Sequence, residues 1–213
     1  MARPYKWVGG IGYILSFIPY VNIISSIVIA VSWILLGRDT REKIFTATGI
    51  LMIITFASGI GILISIFMML PTLISGSMFG EPPHGLFRNL GQLMTLMTML
   101  LILAIIAIVT IILEIVSHFR AGKIFGNTWF KLAGWFRIIT IITALISIPL
   151  IIIYAAANLA ALATTILGPA ALTSLLSLLW PIIVIAILGL LSTIFSIVAF
   201  FTIPENETSA QAQ

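Results

Sequence analysis

From Ile44 to Leu70 the chain reads IFTATGILMIITFASGIGILISIFMML, without one charged side chain. An α-helix rises about 1.5 Å per residue and the hydrocarbon core of a bilayer is about 30 Å thick, so roughly 20 such residues cross a membrane. Three further uncharged runs flank this one: Val8 to Leu36, Asn89 to Leu113 and Ile138 to Pro204. The shorter runs each suit one crossing, and the last is long enough for more than one.

Composition agrees with that reading. Of 213 residues, 61% are hydrophobic and 8% charged, whereas a soluble domain carries roughly a quarter charged residues. The charges are confined to short stretches between the apolar runs. The fold class expected is therefore all-α, an integral membrane helical bundle of about five transmembrane helices with Pro-kinked and re-entrant segments, forming one membrane domain over 1–213. Arg3 and Lys6 resemble the start of a signal peptide. The apolar segment after them is too long for one, so a retained first helix is expected.

The spans are expected over about 9–36 with a kink at Pro19, 44–70, 93–116, 135–158 with Pro149 inside, and 172–201 with a kink at Pro181. Gly76, Gly80, Pro82, Pro83 and Gly85 punctuate 71–92 as the longest loop. Leu159 to Ala171, with Gly168 and Pro169, reads as a re-entrant or interfacial link. A rival division of the last run into three crossings leaves almost no polar connection between them. The tail over 205–213 is polar and expected to be disordered.

Basic residues and aromatic rings interleave where headgroups would lie. Arg41, Lys43, Arg120, Lys123, Lys131 and Arg137, with Trp129 and Trp135, are the candidate interfacial anchors. With five crossings, seven cations (Arg38, Arg41, Lys43, Arg120, Lys123, Lys131, Arg137) fall on one side, against Arg3, Lys6 and Arg88 on the other. Positive charge marks the cytoplasmic side of a membrane protein, so this count puts the N-terminus outside and the C-terminus in the cytoplasm. Asn206, Glu207 and Thr208 form a glycosylation sequon that should then stay unmodified. Membrane lipids are the expected partner, with anionic headgroups facing the net charge of +4. Nucleic acid is not, because there is no extended basic soluble surface.

The two basic turns echo each other, Arg41-Glu42-Lys43-Ile44-Phe45 beside Arg120-Ala121-Gly122-Lys123-Ile124-Phe125, each leading into an apolar helix. That points to two hairpins in parallel orientation, or to two helix starts that both favour a lysine beside an aromatic anchor. At this level the chain resembles a family of archaeal multi-pass membrane proteins defined as a domain of unknown function. The resemblance rests on Gly9-Gly10-Ile11-Gly12 followed by Phe17-Ile18-Pro19-Tyr20-Val21, on Phe130-Lys131-Leu132-Ala133-Gly134, and on Ala199-Phe200-Phe201-Thr202-Ile203-Pro204. The stretch from Ala155 to Leu178 is longer than the family pattern. The resemblance implies the membrane class and transfers no activity.

Residues able to do chemistry are few. The chain has no cysteine, which excludes disulfides, iron–sulfur clusters and thiol catalysis. No phosphate loop, nucleophile triad or dinucleotide fingerprint is present, so neither an enzyme nor a cofactor is expected. Glu114 and His118 are one turn apart near a helix end and read as a solvated interfacial pair, with no deeper partner for a proton relay. Met68, Met69, Met78, His84, Met94 and Met97 would suit Cu(I), but methionine is more often an apolar filler, so no metal site is expected.

Small and polar residues at helical spacing (Gly12, Ser16, Asn22, Ser26, Ala30, Ala57, Gly61, Ser192, Ser196) mark close helix packing, within the chain or against another. The function expected is that of a structural or accessory subunit of a membrane assembly, or a homo-oligomer. The alternative is an uncoupled transporter or channel for a small or apolar solute, lined by the segments at Pro149, Gly168, Pro169 and Pro181.

Overall fold

A computed structural model of the chain describes residues 3–78, 83–164 and 169–205. All six regular elements are helices: α1 (Pro4–Leu15), α2 (Asn22–Thr40), α3 (Lys43–Met78), α4 (Pro83–Ile124), α5 (Thr128–Thr164) and α6 (Pro169–Phe201). Five stretches are long and apolar enough to cross a membrane: Asn22–Thr40, Lys43–Met69, Met94–Ile124, Thr128–Ile153 and Leu179–Phe201. The chain is a multi-pass membrane protein of the all-α class. Its contacts divide it into two compact units, Arg3–Ser117 and His118 onward, with the boundary inside α4.

The first span differs from the single kinked helix expected over 9–36. α1 ends at Leu15, residues 16–21 form a turn, and Asn22 opens α2. Pro19 offers no N–H, and the next residue, Tyr20, takes φ 67, a left-handed conformation that ends a right-handed helix. α1 has 12 residues and is about 18 Å long, too short to cross. It folds back antiparallel along α2. The Tyr5 hydroxyl donates to Asp39 Oδ2 over 2.9 Å, tying the start of α1 to the end of α2. Burial, then the bond to Asp39, pushes the Tyr5 phenol well above its usual range, so it stays a donor. Further along, a Cβ on Gly12 would lie 2.9 Å from Ile29 Cγ1 and 3.0 Å from Ile29 N.

The stretch expected as a loop over 71–92 is helical on both sides of residues 79–82, since α3 runs to Met78 and α4 starts at Pro83. A proline in the first turn lacks only an N–H that would have no partner there, so Pro83 opens a helix instead of ending one. Pro149 and Pro181 lie inside α5 and α6. The expected link over Leu159–Ala171 is helical up to Thr164 and again from Pro169; Gly168 and the sequon at Asn206 lie outside the described residues.

Both basic turns are built alike, in a register that the linear echo does not give. The left-handed residue is Arg41 (φ 57) in the α2–α3 turn and Gly126 (φ 61) in the α4–α5 turn. Gly37 approaches Thr46 and the Glu42 carbonyl; Gly122 approaches Lys131 and the Asn127 carbonyl. Gly49 packs on Ile34 and Gly134 on Phe119. Trp33 meets Phe45 with ring centroids 5.5 Å apart, and His118 meets Phe130 at 6.0 Å. Every one of these pairs, from Gly37 and Gly122 to Gly49 and Gly134, is offset by the same 85 positions. Phe45 therefore corresponds to Phe130, not to Phe125.

The glycine contacts set a test of the hairpins. Gly12→Ala has to displace the backbone of α2 and should lower stability by about 1–3 kcal/mol. Gly59→Ala, whose Cβ would meet nothing within 4 Å, should be neutral or stabilising by up to about 1 kcal/mol through helix propensity. Thermal melting of the two variants in the same detergent checks the difference.

Candidate functional site

Three buried polar residues of the first unit form a stripe along α4. Thr110, Glu114 and Ser117 are 6%, 7% and 0% exposed, and their spacing of four and three places them on one face. A matching stripe on α3 meets them. Thr55 Oγ1 lies 2.8 Å from Thr110 Oγ1, and Thr48 Oγ1 lies 2.8 Å from Ser117 Oγ. α1 supplies the third side: Tyr13, 3% exposed, donates its hydroxyl to Glu114 Oε1 over 3.0 Å.

The depth of Glu114 follows from this register. It lies between the levels of Thr48 and Thr55, eight or so residues into α3, and so about 12 Å below Lys43 along the helix axis. That is inside the apolar layer if Lys43 is at headgroup level. The solvated state expected for Glu114 and His118 is corrected, since the two side chains are 7% and 0% exposed. The physical reason is helix length, since α4 continues to Ile124 and carries Glu114 almost three turns inside its end. Arg137, expected as an interfacial anchor, is half-buried more than two turns into α5.

In the second unit, His118 is fully buried, with Nε2 3.1 Å from Ser196 Oγ. Ser196 donates to the Ser192 carbonyl and Ser192 donates to the Ala133 carbonyl. With the Ser196 proton committed, Nε2 is assigned as the donor to the serine. Asn127 closes the same end. Its Oδ1 accepts the Trp129 N–H at 2.9 Å, capping α5, and its Nδ2 donates to Ala199 O and Thr202 Oγ1, both at 3.0 Å. Nothing in the linear sequence singled Asn127 out; its position just before an apolar helix was the available signal.

The residues singled out for helix packing fall into two groups. Gly12, Ala30, Ser192 and Ser196 are buried against neighbouring helices. Asn22 opens α2 and its carbonyl accepts the Ser25 hydroxyl, Ser16 donates to the Tyr13 carbonyl within the turn, and Ser26 is half-buried. Ala57 and Gly61 are exposed, and a Cβ on Gly61 would meet nothing within 4 Å. The cations Arg41, Lys43, Arg120, Lys123 and Lys131 are exposed. Trp129 stacks on Phe195 at 5.8 Å and Trp135 meets Phe119 edge-on at 5.5 Å, while both rings keep an open face.

Among the methionines, Met68, Met94 and Met97 are 75%, 71% and 67% exposed on α3 and α4. His84 and Met78 carry side chains outside the described residues. Among the described residues no group of three or more His, Cys, Asp or Glu could hold a metal ion.

Comparison with known protein families, with curated proteins and with solved structures finds no match to the chain. The site is thus read from its own geometry.

Asn127→Ala should cost about 2 kcal/mol, because it removes the α5 cap and two bonds that hold the end of α6. Hydrogen exchange should show the loss as faster opening of residues 198–203 before global unfolding.

Proposed function

We propose that the protein is a structural or accessory membrane protein, a subunit of a larger membrane assembly or a homo-oligomer, which performs no catalysis of its own. The observation that carries this reading is the contrast among its glycines. Gly12, Gly37, Gly49, Gly122 and Gly134 are each filled against by a neighbouring helix or turn, whereas Gly59 and Gly61 on α3 and Gly189 on α6 face open space. A glycine within a membrane helix weakens the helix unless it lets another backbone approach. The side chains around the open glycines, Ile60, Leu63, Ile64 and Phe67, are large, apolar and exposed. Lipid tails alone would be met as well by alanine or leucine at positions 59 and 61.

The same reading includes an orientation. The Tyr5–Asp39 bond supports an N-terminus on the side of the α2–α3 turn, since a short α1 folded along α2 returns the chain to its starting side. α3 and α4 then bring the α4–α5 turn back to that side, and α5 and α6 do the same for the C-terminus. Arg3, Lys6, Arg38, Arg41, Lys43, Arg120, Lys123 and Lys131 share it, with Arg137 set further into α5, leaving Arg88 alone opposite, out of ten cations. Both termini are then cytoplasmic, against anionic headgroups. The resemblance to the archaeal membrane family is part of this proposal and supplies no activity.

Because the chain lacks cysteine, single-cysteine probes are unambiguous. Gly61→Cys, tagged with a benzophenone maleimide, should photo-cross-link to another polypeptide in native membranes, and only uncross-linked chain from probes at positions 57, 61 and 64 would refute the assembly face. Arg3→Cys and Arg41→Cys should react with an impermeant maleimide from the same side. Labelling from opposite sides would overturn the orientation and leave the assembly reading standing.

A further inference from the structure

We infer that Glu114 is a reversible proton-binding site inside the membrane, with Tyr13 as the residue that positions its carboxyl. Two independent observations converge on it. The first is placement: a carboxyl 7% exposed, level with the apolar interior of α3, met by a phenol 3% exposed at 3.0 Å. Ionisable side chains inside spans are costly and are retained where they handle charge.

The second is that the construction does not need a carboxyl there. The α2–α3 and α4–α5 hairpins correspond at an offset of 85 positions, and that offset sets Ile29 against Glu114 and Trp33 against His118. Ile29 is 6% exposed and Trp33 fully buried, so apolar side chains fill these two places in the other hairpin. Glu114 is an addition to the helix, not a requirement of its packing.

The Tyr13–Glu114 pair suits both protonation states. When Glu114 is ionised, the phenol O–H donates to the carboxylate, as in the structure. When a proton arrives from water, the carboxyl O–H becomes a donor and the phenol oxygen can accept it. No other reactant is required. α2 from Asn22 to Gly37 and α3 from Ile44 to Met69 carry no ionisable side chain, and α1 presents Tyr13. Along α4 itself His118 follows one turn on.

Dicyclohexylcarbodiimide, which modifies protonated carboxyls in apolar surroundings, is the probe, applied to the full chain in liposomes. The expected result is modification of the peptide containing Glu114, falling about tenfold for each pH unit above its midpoint and absent in Glu114→Gln. In infrared difference spectra between acid and alkaline pH, a carboxyl C=O band should vanish in Glu114→Gln and shift in Tyr13→Phe. Should Glu114→Gln fail to fold, the band should be lost in Glu114→Ile, which borrows the residue of the other hairpin. A Glu114 carboxyl that shows no pH-dependent band would overturn the inference. None of these readouts depends on whether the α3 face binds another polypeptide.

Discussion

Hydrocarbon can neither donate nor accept a hydrogen bond, and that constraint shapes every polar group in this chain. It forces the backbone into helices, whose peptide groups are bonded internally. It also decides where hydroxyl side chains can be placed. Ser65, Thr95 and Thr98, on exposed faces of α3 and α4, donate to the carbonyls of Gly61, Gly91 and Met94 four residues back. Thr140 does the same to Phe136. Such residues are satisfied by their own helix and need no water. A serine or threonine in these spans is thus poor evidence for a pore. The informative hydroxyls are those that also reach another helix, Thr48, Thr55, Thr110, Ser117, Ser192 and Ser196, and all six lie on inward faces.

Where two helices leave a tight turn, their backbones are close, and only small residues fit between them. Gly37 and Gly49 in one hairpin, and Gly122 and Gly134 in the other, occupy those crowded places. A buried aromatic, Phe45 or Phe130, then fills the wedge that opens as the helices part. The two hairpins answer one geometric problem with one set of side-chain volumes. They differ in the left-handed turn residue, where Arg41 bears a conformational cost that Gly126 does not. They differ also in the partners of Phe45 and Phe130, a tryptophan in one and a histidine in the other.

The membrane class was legible from the uncharged runs, because absence of charge over some twenty residues has few other physical causes. The split of the first run was not. A proline inside an apolar stretch is compatible with a kink or a break, and Tyr20 carries none of the glycine chemistry that usually marks a positive φ. The depth of Glu114 was hidden for a different reason. Charge and ring patterns mark the headgroup zone only to within a few turns, and α4 runs beyond its apolar core to Ile124. Register between hairpins was equally obscure: the lysine-isoleucine-phenylalanine match is visible in the letters, while the matching volumes of Gly37, Phe45 and Gly49 are visible only once their neighbours are known. Asn127 shows the same limit, since two of its three bonds join residues more than 70 positions apart.

The brevity of α1 bears on how the chain enters a membrane during synthesis. A helix of 12 residues that carries Lys6 and three glycines has too little apolar surface to remain in lipid by itself, and its Gly12 face is complete only against Ile29. It gains a stable place in the bilayer only after α2 has been made. The first committed insertion event is then that of a folded pair, which waits for α2 to be complete.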